Sequence, residues 1–332
     1  MEQARTYGEI WRAGARRLAE VSGDENEAEA SAELLLLHLL GIGKAELLRD
    51  LREPVPEALR ERWASLLARR AAGEPVQYIT GEQYFYGRRF AVAPAVLIPR
   101  PETELLAEAV LAAAAEIFER RGGRPLGAVS GRAGGQSPEP AAQEDGGESA
   151  AAIRGETALR VLDVGTGSGA LAVTLKLERP GWDVTASDLS PAALAVAAGN
   201  ATALDAQVRF VQGDLLAPFL PGGGHAGERI DVLVSNPPYI PSGDLPDLQP
   251  EVREHEPHLA LDGGPDGLAP YRRMAAQLGQ LAAMPNLVAW EVGIHQAEQA
   301  ADLLRQTSRW DEIRLIRDYA GIDRHVLALR FS

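Results

Sequence analysis

The spacing of hydrophobic and polar positions changes twice along the 332-residue chain. Up to residue 72, apolar residues recur at helical spacing, as at Leu59, Trp63 and Leu67, which is typical of amphipathic helices. We predict a small all-α domain over residues 1–74, built from about three to five helices of ordinary length. This region contains no catalytic constellation, so we expect it to bind a partner or to shape the substrate site.

The spacing then changes to that of strands. Residues 75–99 are rich in aromatic and β-branched residues and are interrupted by Gly81 and Gly87, which predicts a β-hairpin linking two domains. Residues 100–332 are predicted to form the second domain. It begins with an alanine-rich helix over residues 104–120, for which Thr103 is the predicted N-cap.

Beyond residue 157, apolar runs of strand length alternate with helical segments. The strand segments are ALRVLDVG, GWDVTASD, VRFVQGD, IDVLVS and LVAWEVG, followed by IRLIRD and DRHVLALRF as a hairpin at the sheet edge. Continuous apolar strands that alternate with helices are typical of a doubly wound sheet with mostly parallel strands. The predicted fold class is therefore α/β, with the helical domain and the hairpin linker on its N-terminal side.

Residues 121–156 interrupt this alternation with a low-complexity segment dominated by Gly, Pro, Ser, Ala and Gln. It contains almost nothing large and apolar, so burial cannot offset the entropy lost on ordering. We predict a disordered insertion between helix and strand, tolerated because long surface loops cost little stability. No function is assigned to it.

Composition excludes several classes of protein. Hydrophobic residues make up 45% of the chain and charged residues 24%, as in globular proteins, and no run approaches the roughly 18 apolar residues of a membrane span. The N-terminus has no apolar core of a secretion signal. The absence of cysteine excludes disulfides, thiolate metal sites and a cysteine nucleophile. We expect a cytoplasmic protein without membrane attachment.

Charge and histidine spacing exclude further classes. The formal net charge of −14 argues against stable nucleic-acid binding, which needs a basic surface to neutralise phosphates. His255, His258 and His295 lack the spacing of a zinc site, so we expect no metal. Nothing in the patterning indicates association, and a monomer is the default expectation.

The tetrapeptide Asn236-Pro237-Pro238-Tyr239 follows a buried strand, at the edge where open α/β sheets bind ligands. Pro237 holds Asn236 extended, and the two prolines leave carbonyls as acceptors. The Asn236 side-chain oxygen and a backbone carbonyl can then accept from one –NH2 group, with Tyr239 as a flat surface stacked against it. Asn-Pro-Pro is also an ordinary end to a strand, so the tetrapeptide alone leaves both interpretations open.

A glycine loop precedes this tetrapeptide in the chain. Gly165, Gly167 and Gly169 allow a sharp turn and close approach of a ligand, and the following helix N-terminus favours a carboxylate or phosphate. Asp188 ends the next strand, where an acid usually takes ribose hydroxyls. Asp214 ends the third strand.

Two cofactors are compatible with the glycine loop. Gly165-x-Gly167-x-x-Ala170 together with Asp188 matches the dinucleotide fingerprint, which keeps a nicotinamide-dependent oxidoreductase as an alternative. That alternative leaves Asn236 and its neighbours unexplained. S-adenosylmethionine fits better, because its carboxylate suits the loop, its ribose suits Asp188 and its methyl group then faces Asn236. Its adenine is expected beside Asp214 and Leu215.

Six segments together resemble the release-factor glutamine methyltransferase family: QYITGEQYFYGRRFAV, VLIPRPETE, VLDVGTGSGALAV, SNPPYIP, EPHLALDGGPDGL and DYAGIDRHV. The resemblance covers about residues 1–120 and 157–332, and the family does not usually carry an insertion like 121–156. It implies a class I, Rossmann-like methyltransferase domain that uses S-adenosylmethionine. It also implies a substrate, the glutamine in the Gly-Gly-Gln loop of peptide-chain release factors, methylated on its side-chain amide nitrogen.

The matched motifs imply a role for each residue of the predicted site. The cofactor-binding residues are Gly165, Thr166, Gly167, Ser168, Gly169, Asp188, Asp214, Leu215 and Asn236. The substrate-binding residues are Asn236, Pro237, Pro238 and Tyr239, of which Asn236, Pro237 and Tyr239 are the predicted catalytic residues. Since no side chain here can deprotonate an amide outright, we expect direct in-line transfer that depends on orientation and exclusion of water.

An adenine-N6 methyltransferase acting on DNA or RNA is the nearest alternative, because an exocyclic amino group poses the same geometric problem. Such an enzyme needs a base-flipping pocket and a basic groove. The charge of −14 argues against it.

Overall fold

The computed structural model describes residues 6–121 and 158–332. The first five helices are α1 (Tyr7–Ser22), α2 (Glu25–Leu40), α3 (Lys44–Arg49), α4 (Glu57–Ala71) and α5 (Val76–Thr80). The side chains of Thr6 and Asp24 cap α1 and α2 by accepting from N–H groups of the first turn, which otherwise have no partner. These helices enclose an apolar core that contains Leu35, Leu36 and Trp63.

The segment predicted as a hairpin linker begins with a helix and then forms two strands. Helix α5 contributes Val76 and Ile79 to the core of the helical domain. The antiparallel strands β1 (Glu82–Phe85) and β2 (Arg88–Ala91) follow. Phe85 and Phe90 are fully buried in the core of the second domain, so the hairpin packs as part of that domain.

The second domain contains a seven-stranded sheet with the order β5-β4-β3-β6-β7-β9-β8. Its strands are β3 (Arg160–Val164), β4 (Asp183–Asp188), β5 (Val208–Gln212), β6 (Val232–Ser235), β7 (Leu287–Glu291), β8 (Glu312–Arg317) and β9 (Asp323–Leu329). Strands β3 to β7 are parallel, and β9 runs antiparallel to both β7 and β8. The prediction of a mostly parallel α/β sheet with an edge hairpin is confirmed.

Helices cover both faces of this sheet. They are α6 (Pro101–Arg120), α7 (Ala170–Glu178), α8 (Pro191–Ala203), α10 (Ala269–Leu278) and α11 (Ala297–Thr307), and a short α9 (Pro250–His255) lies in the connection after β6. Helices α6, α7 and α8 contribute to the core on one face, and α10 and α11 to the core on the other. Within the described ranges, no helix has the length and apolar character needed to cross a membrane.

The prediction of Thr103 as a helix cap is wrong. Helix α6 begins at Pro101 and its N-cap is Arg100, because proline is well suited to the first helical position. Thr103 therefore lies inside the first turn, where its side chain is buried. The predicted insertion at 121–156 lies outside the described residues except for Arg121.

The strand order reverses between β3 and β6, which lie side by side in parallel. Val164 at the end of β3 pairs with Ser235 at the end of β6. The glycine loop and the Asn-Pro-Pro-Tyr tetrapeptide therefore leave the sheet at adjacent points. Open α/β sheets bind ligands in the crevice at such a reversal.

Candidate active site

A cavity of about 410 Å³ opens at the carboxyl ends of β3, β4 and β6. Its lining includes nine of the predicted site residues: Gly165, Thr166, Gly167, Ser168, Asp188, Asp214, Leu215, Asn236 and Pro238. Three predicted residues, Gly169, Pro237 and Tyr239, are not in its lining. The fold thus brings most of the predicted residues to one cavity, although they come from four separate segments at the carboxyl ends of β3, β4, β5 and β6.

The glycine loop follows β3 and adopts a left-handed backbone, with φ of 72° at Gly165, 56° at Gly167 and 81° at Gly169. A Cβ atom at Gly165 or Gly167 would meet open space, whereas one at Gly169 would lie 3.1 Å from the Cβ of Ala197. The first two glycines therefore leave room for a ligand. Gly169 instead allows the start of α7 to pack closely against α8.

Asp163 supports this loop from within the sheet. Its side chain is buried, and its Oδ2 accepts a hydrogen bond from Thr166 Oγ1 at 2.6 Å. Burial raises the pKa of Asp163 to about 7, and the hydrogen bond from Thr166 partly opposes that rise. Asp163 was not among the predicted site residues. The sequence contained one signal for it: Asp163 is an acidic residue near the end of an otherwise apolar strand, β3.

Asp188 lies at the end of β4 and holds two neighbouring segments together. Its Oδ2 accepts from the N–H of Gly167 at 2.9 Å, and its Oδ1 accepts from the N–H of Ser190 at 2.8 Å. Ser190 is the N-cap of α8, so the Asp188 carboxylate lies beside the N-terminus of that helix. The same side chain lines the cavity.

Asp214 and Leu215 form the part of the lining after β5. Asp214 is paired with Arg273 of α10, and both side chains are substantially exposed. Leu215 has a φ of 51°, an unusual value for a residue with a side chain. Its side chain also packs against the apolar core beneath the cavity. These two residues give this part of the cavity lining an exposed polar group and an apolar surface.

Asn236 lies beside two residues that come from distant parts of the chain. Its Nδ2 donates to Thr103 Oγ1 at 3.1 Å, and Thr103 Oγ1 donates to Glu291 Oε2 at 2.7 Å. Glu291 ends β7 and is fully buried. Neither Thr103 nor Glu291 was predicted to belong to the site, because no local motif connects α6 or β7 with Asn236.

Tyr239 is held on two sides. Its hydroxyl accepts from Arg324 Nη2 at 3.0 Å, and the same guanidinium lies 5.1 Å from the ring centroid. Its carbonyl accepts from Gln296 Nε2 at 2.9 Å. Burial raises the pKa of the Tyr239 phenol, so the hydroxyl stays protonated at neutral pH. Pro237, between Asn236 and Tyr239 in the chain, is buried.

Further parts of the cavity lining come from residues 95–103 and from the connection after α9, including Pro257, Leu259 and Ala260. Glu256, almost fully buried, accepts from Arg100 and from the N–H of Ile98. This ion pair joins the connection to the start of α6. None of the described residues in the cavity lining is histidine, lysine, tyrosine or cysteine, so the site is suited to orienting a substrate more than to relaying protons.

Comparisons with known proteins agree with this architecture. A family model described as the PrmC N-terminal domain matches residues 9–81, and one described as the methyltransferase small domain matches residues 150–248. The chain is 39% identical to the release factor glutamine methyltransferase of Bacillus subtilis (strain 168), covering 94% of this chain and 93% of that protein. It is 40% identical to the protein of the same name from Bordetella pertussis, covering 92% and 97%.

Proposed function

From the premise that this chain belongs to the release factor glutamine methyltransferase family, we propose that it methylates peptide-chain release factors. The acceptor is the side-chain amide nitrogen of the glutamine in their Gly-Gly-Gln loop, and the methyl donor is S-adenosylmethionine. The observation that carries this proposal is the meeting of a glycine cradle and the Asn236 amide in one cavity. The two release factor glutamine methyltransferases described above align with nearly the whole chain, including both of its domains.

The cavity suits S-adenosylmethionine in size and chemistry. Its volume of about 410 Å³ lies in the usual range of ligand pockets. Gly165 and Gly167 open toward free space and would receive the amino-acid carboxylate near the N-terminus of α7. Asp188 would receive the ribose hydroxyls, and Asp214 and Leu215 would flank the adenine. When bound, this cofactor supplies an electrophilic methyl group on a sulfonium.

Asn236 and Pro237 hold the acceptor nitrogen. An amide nitrogen is a weak nucleophile because its lone pair is delocalised into the carbonyl. The Asn236 side-chain oxygen and the Pro237 carbonyl accept its two hydrogens and fix its direction. Such positioning, together with exclusion of water, is the main source of rate when no base is available. Tyr239, fixed by Arg324 and outside the cofactor cavity lining, is assigned to the substrate glutamine.

Methyl transfer from labelled S-adenosylmethionine tests this function directly. The acceptors are a purified release factor, the same factor with its loop glutamine replaced by alanine, and duplex DNA. We expect label on the unaltered factor alone. Label on DNA would instead support the adenine-N6 alternative, and label on both forms of the factor would contradict the assigned target residue.

A further inference from the structure

The hydrogen bonds around Asn236 have a direction that the substrate site requires. Thr103 contributes one hydroxyl proton, which it donates to Glu291 Oε2 at 2.7 Å. An ionised carboxylate only accepts hydrogen bonds. Thr103 is therefore left as an acceptor for Asn236, and the Nδ2 of Asn236 donates to it at 3.1 Å. The amide of Asn236 thus directs its amino group toward Thr103 and Glu291, which leaves its oxygen on the opposite side.

We propose that Glu291 and Thr103 are positioning residues that set the orientation of the Asn236 side chain. This inference rests on the proposed function. The substrate amide presents hydrogens, so only the oxygen of Asn236 can receive them. A reversed Asn236 side chain would place an –NH2 group against another –NH2 group. The relay from Glu291 through Thr103 excludes that reversed orientation.

The environment of Glu291 explains why its carboxylate is available to Thr103. Arg324 Nη2 is 3.9 Å from Oε1, beyond hydrogen-bond distance, because it donates to Tyr239 instead. His325 Nε2 is 3.9 Å from Oε2 and lies 3.0 Å from the carbonyl oxygen of Glu102, to which it donates. Burial lowers the pKa of His325 to about 4, so this histidine is neutral at physiological pH.

Two further groups face Glu291. The hydroxyl of Tyr271, on α10, donates to the backbone carbonyl of Glu291 at 2.7 Å, and the charge of Glu102, on α6, disfavours ionisation of Glu291. Burial raises the pKa of Glu291 to about 7. The hydrogen bond from Thr103, the charge of Arg324 and the nearby amide of Asn236 oppose that rise.

The relay is therefore sensitive to pH. Above about pH 7, Glu291 is ionised and Thr103 donates to it. Below that pH, the protonated carboxyl can donate to Thr103, and the Thr103 proton is released to bond Asn236. Asn236 would then turn its oxygen toward Thr103 and away from the substrate. We expect kcat, measured at saturating S-adenosylmethionine, to fall as the pH decreases through about 7.

Three variants of the full-length protein test this relay. Thr103→Val keeps the side-chain shape and removes the hydroxyl, and we expect kcat to fall on the order of tenfold to a hundredfold through misorientation. Its dissociation constant for S-adenosylmethionine, measured by calorimetry, should stay within about twofold of the wild-type value. Thr103→Ser restores the hydroxyl and should recover most of the lost turnover.

Glu291→Gln provides the matched measurement at the other end of the relay. A glutamine oxygen still accepts from Thr103 but does not titrate. We expect a moderate loss of kcat and disappearance of the decline on the acid side of the kcat–pH profile. A structural defect alone would not remove that decline.

The outcomes separate this inference from the proposed function. If the wild-type protein does not methylate a release factor, the proposed function fails. If it does, and Thr103→Val keeps wild-type kcat or Glu291→Gln keeps the acid-side decline, the relay is overturned. Should Thr103→Val fail to fold or to bind cofactor, the pH profile of Glu291→Gln decides the question alone.

Discussion

The two sides of the cavity take their shape by different means. The glycine loop, residues 165–169, takes its shape from positive φ angles and from hydrogen bonds to β4. Asn236 takes its orientation from side chains that are remote in the sequence. Thr103 is 133 residues away from it, and Thr103 and Glu291 are themselves separated by 188 residues. One side is a local backbone structure, and the other is a tertiary network.

This difference separates binding from rate. A change in the glycine loop alters the backbone that is proposed to receive the cofactor, so its effect should appear in cofactor affinity. A change in the Asn236 network leaves that backbone intact and should alter only how the acceptor nitrogen is held. Interactions that act on orientation in the transition state change kcat more than ground-state binding. Mutations on the two sides should therefore have distinct kinetic signatures.

Asn236→Ala is expected to give the largest effect. It removes the oxygen that is proposed to accept from the substrate amide, and we expect kcat to fall on the order of a hundredfold to a thousandfold, as for loss of one preorganised polar group. Cofactor affinity should change by less than about threefold. Single-turnover methyl transfer and calorimetry measure the two quantities separately. Near-normal turnover in this variant would show that Asn236 does not hold the acceptor nitrogen.

Gly169→Ala should give an intermediate effect with the opposite signature. A Cβ at this position must adopt a φ of 81° and lie 3.1 Å from the Cβ of Ala197. Strain of this kind costs about 1–3 kcal/mol, so we expect weaker cofactor binding and a lower melting temperature. Single-turnover kcat at saturating cofactor should change much less.

Gly199→Ala is the matched control for Gly169→Ala. Gly199 lies in the neighbouring helix α8, has an ordinary φ, and a Cβ there would meet open space. Replacing an exposed helical glycine by alanine should stabilise the protein by about 0.5–1 kcal/mol. If both variants weakened cofactor binding equally, the special geometry of Gly169 would not be the cause.

The same contrast explains what could be predicted from the sequence. The alternation of strands and helices, the parallel sheet and the clustering of Gly165, Asp188 and Asn236 follow from local patterns and from a general rule about sheet edges. Thr103 looked like a helix cap because threonine before acidic residues is a common N-cap. Its real partners, Glu291 and Asn236, are brought to it only by tertiary packing, and no local pattern contains that information.

Helix α5 shows a similar limit of local reasoning. Its residues, Val76–Thr80, are partly β-branched and aromatic, which favoured a strand. Burial of Val76 and Ile79 in the core of the helical domain outweighs that weak local preference. Both corrections concern segments whose conformation depends on distant contacts.

Tyr239→Phe should give the smallest effect, and it tests whether the tertiary network extends beyond Asn236. The substitution removes only the hydroxyl that accepts from Arg324, while the ring and its contact with the guanidinium remain. A lost hydrogen bond to a charged group is worth about 1.5–3 kcal/mol when buried, but here part of that cost falls on stability. We expect kcat/KM for the release factor to fall about threefold to tenfold, and cofactor affinity to stay constant.

The exposed Tyr84 provides the control for this variant, since Tyr84→Phe should change neither quantity. A loss of cofactor affinity in Tyr239→Phe would mean that this tyrosine also supports the glycine-loop side of the cavity. The side-chain network around Asn236 and the backbone structure of the glycine loop would then not act independently.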